Sequence, residues 1–466
     1  MNDLLVMKFG GTSVGSAERM RVACDLIAAE AAKRPVLAVV SAMSKITDLL
    51  LDTTRHAVAD DQAGLTRNLE TLEARHIEAA AGLFEASEQA RLRAGIGEIT
   101  ADFRRIMNGM QMLGYKPLRA VDEAVAVGER LSALLVSEHL KSRGLNAVAV
   151  NAADVLVTDA VFGNASPLMG PTEENANAKL KPLLRKGGIP IVTGFNGATA
   201  DGTPTTLGRG GSDFSASILA AALGASELWI WTDVDGIMTA DPRLVPDARI
   251  LPEITYSEAA ELAWAGAKVL HPRTLAPLVA KRIPVWSKNS FAPEKPGTRI
   301  VPELGEGNSG AKAVTSMANV ALVSLEPAPG AGGVRVMARS LEALESANIE
   351  ILALSSSSYR QSFCFLVRNE ELEKATQAIE AALNLELTHG YVRGIDVDRN
   401  VGLLAVVGEG MRGFSGLAGR IFTAISREKI NIIAIAQGSS ELTISIVVRR
   451  EGLEKAVRAV HAECHL

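Results

Sequence analysis

The first 300 residues alternate short apolar runs with helical patterns, and this alternation restricts the chain to few folds. Runs this short, bounded by Gly, Pro or Ser, are typical of buried strands. The runs are Leu4–Phe9, Val36–Val40, Ala147–Val150, Ile189–Thr193, Leu228–Thr232 and Ile283–Trp286. Between them, residues such as Met20, Ala23 and Ile27 recur at the spacing of one helix face. The pattern predicts an α/β fold with a mostly parallel sheet sandwiched by helices.

Residues from about 50 to 115 are polar-rich and follow a helical pattern throughout, which predicts a helical insertion. Beyond Phe291 the segments APEKPGT and ELGEGNSG combine Pro, Gly and charge, which is typical of a linker.

An internal repeat follows the linker. The segment 431–448 matches 348–367 at an offset of roughly 83 residues, and Val406 aligns with Val323. Each copy reads as strand, turn, helix, strand, strand and helix, which predicts two small α+β units. The sequence therefore predicts a first domain at 1–300, a linker at 301–316, and repeat units at 317–393 and 394–466.

The composition excludes several classes of protein. The 466 residues carry 53 acidic and 48 basic side chains, a net charge of −5, which argues against nucleic acid as the main ligand. No apolar run approaches the roughly 18 residues that span a bilayer, and the start lacks the pattern of a secretory signal. The three cysteines are far apart, so we expect no disulfide framework. We expect a soluble, cytoplasmic protein without membrane partners.

The strongest chemical signal is the turn Lys8-Phe-Gly-Gly-Thr-Ser-Val-Gly15 between the first strand and the first helix. Glycines at such a turn let backbone N–H groups approach an anion, and the helix N-terminus adds positive potential. Lys8 adds a point charge at the same place. The alternative is a tight turn beside a solvated lysine. The chain has no Walker A motif.

A second glycine-rich turn, TTLGRGGSD at 205–213, precedes an apolar helix predicted at Phe214–Leu223. Arg209 and the backbone of Gly210 and Gly211 are suited to clamping a carboxylate or a phosphate. Alternatively, Ser212 and Asp213 cap the helix.

Two further motifs complete the set. WTDVDGIMTADPR at 231–243 begins at a strand end, where open α/β sheets bind ligands, and GAKVLHP at 266–272 places Lys268 beside apolar residues. A lysine in such a position usually extends its ammonium group to solvent.

The six ordered motifs KFGGTSVGS, SAMSKITDLL, VGERLS, TTLGRGGSD, WTDVDGIMTADPR and GAKVLHPRT together resemble the aspartokinases, of the amino-acid kinase fold. The internal repeat resembles their paired ACT domains, and AIAQGSSE in the second copy is most similar to threonine-sensitive aspartokinases. Some of those are fused to homoserine dehydrogenase. Because this sequence ends at Leu466, we expect the monofunctional form.

The resemblance implies transfer of the ATP γ-phosphate to the side-chain carboxylate of L-aspartate, with Mg²⁺. It implies that Lys8 stabilises phosphate and the transition state, that Gly10 and Gly11 lie against the phosphates, and that Asp213 organises the charged groups. The implied aspartate-binding residues are Ser41, Thr47, Glu129, Arg209 and Ser212. The implied nucleotide-binding residues are Thr232, Asp233, Met238, Arg243 and Lys268. Met238 departs from the family, which often has Tyr there. We expect no metal bound by the protein's own side chains.

The resemblance also implies feedback by threonine or lysine and a homodimer or higher oligomer. We expect Asn431 and Gln437 of the second copy to contact the effector. Leu354 takes the place of Gln437 in the first copy, so we expect the site there to be lost or altered. Two alternatives stay open, namely a kinase for glutamate or N-acetylglutamate, and an inactive ACT-domain sensor.

Three local patterns have simpler explanations. Gly408–Gly413 fits the G-x-G-x-x-G dinucleotide motif, follows an apolar strand and is predicted to open a helix. Because too few residues follow it to complete a doubly wound sheet, we expect an effector loop of the second ACT unit instead. His461, Cys464 and His465 lie at a chain end that is poorly suited to zinc. We expect His271, beside Pro272, to make a structural hydrogen bond.

Overall fold

A computed structural model describes residues 3–267, 270–304, 310–330, 332–357 and 362–466. The chain divides into two compact units. The first comprises Met1–Ile237, Pro252–Tyr256 and Leu270–Glu303, and the second comprises Met238–Leu251, Ser257–Val269 and Leu304–Leu466.

The part of the chain up to residue 304 contains the predicted alternation of strands and helices. Its strands are β1 (Leu5–Phe9), β2 (Val36–Val40), β3 (Ala147–Val150), β4 (Val157–Thr158), β5 (Ile189–Thr193), β6 (Asn196–Thr199), β7 (Pro204–Thr206), β8 (Glu227–Thr232), β9 (Glu253–Thr255), β10 (Val285–Asn289) and β11 (Thr298–Val301). Its helices are α1 (Ala17–Ala31), α2 (Ile46–Val58), α3 (Gln62–Leu83), α4 (Ala86–Leu113), α5 (Leu118–Val125), α6 (Val127–Ser142), α7 (Met169–Lys179), α8 (Lys181–Arg185), α9 (Gly211–Leu223), α10 (Tyr256–Trp264) and α11 (Pro272–Lys281).

The main sheet of the first unit has the strand order β3-β5-β2-β1-β8-β10-β11-β9. Neighbouring strands from β3 to β10 are parallel, and β11 is antiparallel to β10. Strands β1, β2 and β8 are in register, with Phe9 beside Val40 and beside Trp231. Their carboxyl ends therefore meet at one edge of the sheet, as the sequence predicts for a ligand site.

The predicted helical insertion is confirmed as α2, α3 and α4, which pack on each other and on α6. Apolar side chains of these helices, including Leu50, Leu72 and Phe103, join those of β1 and β2 in one buried core. The insertion is therefore packed into the first unit as part of its core.

The second unit contains both copies of the repeat. Its elements from residue 310 onward are β12 (Ala313–Pro327), α12 (Gly333–Ser346), β13 (Ala353–Ser356), β14 (Phe363–Arg368), α13 (Leu372–Ala382), α14 (Asn384–Thr388), β15 (Val392–Val407), α15 (Leu417–Arg427), β16 (Ile432–Gln437), β17 (Thr443–Arg449) and α16 (Leu453–Glu463). The predicted order of strands and helices is confirmed in each copy. Strand β12 begins inside the segment that the sequence predicts to be a linker.

The two copies form one sheet with the order β13-β14-β12-β15-β17-β16. Its central pair, β12 and β15, is antiparallel, with Ala313 opposite Val407 and Ser324 opposite Asp396. At the repeat offset, Val407 is the equivalent of Ser324 and Asp396 is the equivalent of Ala313. The copies are thus related by an approximate two-fold axis through the middle of the β12–β15 pair.

Two local expectations need correction. The glycines of Gly408–Gly413 do not open a helix, because α15 begins only at Leu417. The second glycine-rich turn begins its helix earlier than its apolar residues suggest, at Gly211, after the left-handed Gly210. No helix in the described ranges is long and apolar enough to cross a bilayer.

Candidate active site

Lys8 lies on β1 at the carboxyl edge of the sheet, and only 7% of its surface is exposed. Its ammonium Nζ is 2.5 Å from Oδ1 of Asp213, in the first turn of α9. The carboxylate compensates the buried positive charge and restricts the position of the ammonium group. The sequence predicted both residues at the site, and the structure joins them in one ion pair.

Gly11 contacts the segment after β2 so closely that a side chain does not fit. A Cβ atom there would lie 2.9 Å from the carbonyl oxygen of Ala42. The N–H of Ser44 donates to the carbonyl oxygen of Gly11 at 3.2 Å. Glycine is therefore required by backbone-to-backbone packing between the first turn and residues 42–44.

Gly10 is tied to the neighbouring strand β8, and its predicted place against the phosphates stays a prediction. Its backbone N–H donates to the carbonyl oxygen of Trp231 at 3.1 Å, so this group is engaged with β8. A Cβ atom on Gly10 would lie 3.5 Å from Nζ of Lys8. Gly10 thus joins two strand ends beside the lysine.

The second glycine-rich turn places Arg209 and Ser212 next to the ion pair. Gly210 has φ +69° and precedes α9 with no side-chain cap, so the alternative that Ser212 or Asp213 caps the helix is wrong. Arg273 holds this turn from α11, because its guanidinium donates to the carbonyl oxygen of Leu207 at 3.2 Å. The side chain of Asp213 is left to pair with Lys8.

Glu129, in the first turn of α6, is 3% exposed. Burial raises the pKa of its carboxyl group to about 7, while hydrogen bonds from the backbone of Ala42 and Glu129 and the charge of Lys8 lower it. Its Oε2 atom has no hydrogen-bond partner among the described residues. A buried carboxylate with an unsatisfied oxygen suits a cationic ligand group.

These side chains line one cavity of about 510 Å³. The predicted residues that it brings together are Lys8, Gly11, Ser41, Thr47, Glu129, Arg209, Ser212 and Asp213. The lining combines cationic side chains such as Arg209 with carboxylates such as Glu129, so both anionic and cationic ligand groups find a partner in this cavity.

The lining residues that sequence reasoning missed include Ser44, Lys45, Asp48 and Phe195. Ser44, Lys45 and Asp48 lie inside the motif SAMSKITD, which directly follows β2. Their position after the end of a strand was the sequence signal that could have identified them. Phe195 follows the carboxyl end of β5 and has φ +73°. The strand-end rule that selected Thr232 and Asp233 applies equally to Phe195.

Thr232 and Asp233 lie where predicted, at the carboxyl end of β8. The Thr232 hydroxyl is 3.3 Å from the Asp233 carboxylate, and the N–H of Ser290 donates to the Thr232 carbonyl at 2.9 Å. Ser290 also shares a 2.8 Å hydrogen bond with Ser13 of the first glycine turn. This hydrogen-bonded edge joins β8 to the turn that carries Lys8 and Gly11.

The other predicted nucleotide residues belong to the second unit or lie outside the described residues. Met238 and Arg243 belong to the second unit, where Met238 bridges to Ile250 and Arg243 forms an ion pair with Asp241 at 2.5 Å. Lys268 lies outside the described residues. Their predicted contacts with nucleotide stay predictions.

The two predicted effector residues lie at opposite ends of β16. Gln437 lines a cavity of about 270 Å³ with Met411, Phe414 and Glu441, and Asn431 does not. In the first copy, Leu354 on β13 is 38% exposed.

The histidines singled out in the sequence make structural contacts. His271 is the N-cap of α11, and its side chain accepts a hydrogen bond from the N–H of Arg273. This confirms its expected structural role. His461 is 2.9 Å from the hydroxyl of Thr239. Among the described residues, no group of three or more His, Cys, Asp or Glu is arranged to hold a metal ion.

The amino acid kinase family profile matches residues 3–289, and an ACT domain profile matches residues 331–383 and 404–464. Aspartokinase 2 of Arabidopsis thaliana is 30% identical over 98% of this chain and 83% of its own length. This chain belongs to the aspartokinases, within the amino acid kinase family. The aspartokinase assignment covers both the kinase part and the ACT part.

Solved structures agree with this membership. E. coli aspartokinase III in complex with aspartate and ADP (R-state) superposes with a TM-score of 0.83, at 30% identity over all of both chains. The same aspartokinase in complex with lysine and aspartate (T-state) gives 0.82 at 30% identity, covering 99% of this chain and all of that one.

The bifunctional aspartokinase/homoserine dehydrogenase 1 of Arabidopsis thaliana is 33% identical over 99% of this chain and 51% of its own length. The chain thus spans about half the length of such bifunctional relatives.

Proposed function

We propose that this aspartokinase transfers the γ-phosphate of ATP to the side-chain carboxylate of L-aspartate, giving 4-phospho-L-aspartate and ADP. One carboxylate oxygen attacks the γ-phosphorus, an acyl–phosphate bond forms, and the bond to the β-phosphate oxygen breaks. The observation that carries the proposal is the single cavity lined by Lys8, Asp213, Glu129 and Arg209.

The chemistry needs no general base. The aspartate side chain has a reference pKa near ~3.9, so it is ionised at neutral pH. The obstacle is electrostatic, because two anions must meet and charge must spread over the transferred group. Lys8 neutralises this charge, and Asp213 holds its ammonium group in place. Gly10 and Gly11 let the backbone approach the phosphates.

The remaining lining residues hold aspartate. Glu129 pairs with the α-ammonium group, which satisfies its open Oε2 atom. Arg209 pairs with the α-carboxylate through two parallel hydrogen bonds. Ser41, Thr47 and Ser212 complete the hydrogen bonds to substrate.

Nucleotide contacts are proposed for Thr232, Asp233, Met238, Arg243 and Lys268. Mg²⁺ accompanies ATP and prefers oxygen ligands. On this proposal the phosphate oxygens of ATP hold the ion, and the protein's own side chains do not. When bound, Mg²⁺ neutralises phosphate charge.

The ACT part is proposed to bind an amino-acid effector, threonine or lysine. E. coli aspartokinase III has been solved with lysine, and Gln437 lines a cavity in the second repeat. We further propose a homodimer or higher oligomer, a cytoplasmic location, and the boundaries 1–300, 301–316, 317–393 and 394–466. On this proposal the enzyme begins the synthesis of lysine, threonine and methionine.

A hydroxamate trapping assay tests the activity. Purified protein is incubated with MgATP, hydroxylamine, and aspartate, glutamate or N-acetylglutamate in turn. Hydroxamate with aspartate alone supports the proposal. Product only with another acid supports a different amino-acid kinase, and no product with any acid supports a sensor.

Two variants assign the product to this site. Lys8→Ala removes the buried ammonium and should abolish turnover, whereas Lys33→Ala changes an exposed lysine paired with Glu30 and should leave turnover intact.

A further inference from the structure

Residues 41–48, here called the β2–α2 segment, form much of the wall of the cavity, and their backbone is strained at one point. Lys45 has φ +65° and ψ +4°, the left-handed region, although it carries a side chain. It precedes α2 with no side-chain cap. Such a conformation persists only where neighbouring contacts impose it.

Three hydrogen bonds fix the backbone on both sides of Lys45. The N–H of Ser44 donates to Gly11, the N–H of Ile46 donates to Met43 at 2.9 Å, and the N–H of Leu49 donates to Lys45 at 3.1 Å. These bonds fix the turn and the first helical residue. None of these three bonds involves the peptide group between Ser44 and Lys45. The orientation of that peptide group is therefore set by the hydrogen bond to its carbonyl oxygen, which belongs to Ser44.

That carbonyl oxygen is held by Arg75. Nη1 of Arg75, on α3, donates to the Ser44 carbonyl oxygen at 2.8 Å. Rotation of this peptide group changes φ of Lys45, so the guanidinium directly opposes the relaxation of Lys45 out of the left-handed region. Arg75 is half-buried in the helical insertion and does not line the cavity.

We infer that Arg75 is a positioning residue for substrate. It holds the β2–α2 segment so that Lys45 and Thr47 face the cavity. The inference rests on the proposed function for its substrate, and it gives the helical insertion a part in the reaction.

Kinetics of Arg75→Ala are compared with those of Arg67→Ala, an exposed arginine on the same helix. We expect the KM for aspartate to rise about tenfold or more in Arg75→Ala, with a smaller change in the KM for ATP. Arg75→Lys keeps a donor and should recover part of the loss. Equal kinetic constants in Arg75→Ala and Arg67→Ala would overturn the inference.

A second comparison separates positioning from general loss of stability. Lys45→Gly and Lys45→Ala both remove the ammonium group, but only glycine adopts the left-handed region without strain. In the Arg75→Ala background, we expect Lys45→Gly to bind aspartate more tightly than Lys45→Ala. Equal KM values in the two double variants would contradict the positioning role. If Arg75→Ala does not fold, the single Lys45 variants make the same comparison, with the Ala variant weaker.

Failure of the proposed function gives a different result. A wild-type protein without activity on aspartate refutes that function and leaves the positioning testable by amide hydrogen exchange. Faster exchange at Ile46 and Leu49 in Arg75→Ala, with no change in Arg67→Ala, supports the inference, and unchanged exchange refutes it.

Discussion

The ammonium of Lys8 and the carboxylate of Asp213 lie 2.5 Å apart, although 205 positions separate them along the chain. Strand β1 supplies one partner and the first turn of α9 supplies the other. The parallel order β2-β1-β8 with α9 packed against it makes this contact possible. The pair therefore depends on the fold, and loss of one partner leaves the buried charge of the other uncompensated.

Asp213→Asn keeps the size of the side chain and removes its charge. We expect kcat to fall by roughly 10²-fold, because Lys8 loses the group that orients it toward the phosphate. Steady-state kinetics of Asp213→Asn, Lys8→Met and the double variant form a double-mutant cycle. If the two losses simply multiply, the residues act independently and the assigned partnership is wrong.

Gly11→Ala should abolish most activity because its new methyl group would meet the Ala42 carbonyl oxygen at 2.9 Å. The displaced backbone moves both the first turn and the β2–α2 segment. The control is Gly97→Ala in α4, where nothing lies within 4 Å of the added atom. Helix propensity predicts that this control gains up to ~1 kcal/mol in free energy of unfolding. Full activity in Gly11→Ala would show that the close approach is dispensable.

Gln437→Leu gives the second ACT copy the residue that the first copy carries at Leu354. We expect calorimetry to show loss of threonine or lysine binding, because leucine cannot hydrogen-bond the charged groups of an amino acid. Leu354→Gln is the reciprocal variant. An increase in the number of effector molecules bound per chain would show that the first copy lacks binding because it lacks this glutamine. Absence of heat with either amino acid in the wild-type protein would end the feedback hypothesis.

Much of the fold follows from local sequence patterns. Each predicted strand of the first 300 residues is present within a few positions, because a buried parallel strand needs a short apolar run and little else. The predicted site residues near Lys8 lie together because parallel strands bring their carboxyl ends to one edge. The strand assignments required no knowledge of distant contacts, whereas Ser41, Thr47 and Glu129 were assigned to the site from the resemblance to the aspartokinases.

Other features depend on contacts between residues far apart in the sequence, and the periodicity of apolar residues carries no information about such contacts. The segment 238–251 follows β8 directly in sequence, yet Ala240 and Val245 pack in the same core as Val460 of α16. The carbonyl of Thr239 accepts a hydrogen bond from Val314 of β12. The left-handed conformation of Lys45 could not be predicted from the sequence either, because contacts with Gly11 and Arg75 impose it and the residue type does not.

The raised pKa of Glu129 predicts that the free energy of unfolding decreases as pH rises. Its pKa is raised from an ordinary 4.5 to about 7 in the folded protein. Between these values the native state binds the proton that the unfolded state has released, so stability falls as pH rises. The loss approaches its full value, on the order of 3 kcal/mol, about one pH unit above the folded-state pKa. Glu129→Gln stays neutral and should therefore melt at a higher temperature than wild type at pH 8, with little difference at pH 4.5.

The same carboxyl group should make aspartate binding pH-dependent in the opposite direction. Only the ionised form pairs with the α-ammonium group, so the KM for aspartate should fall as pH rises through about 7. Glu129→Gln should raise this KM and flatten its pH profile. Asp48→Asn serves as control, because Asp48 also lines the cavity but is exposed, and it should keep the wild-type profile. A Glu129→Gln enzyme with the wild-type pH profile would assign the titration to another group and remove Glu129 from ammonium recognition.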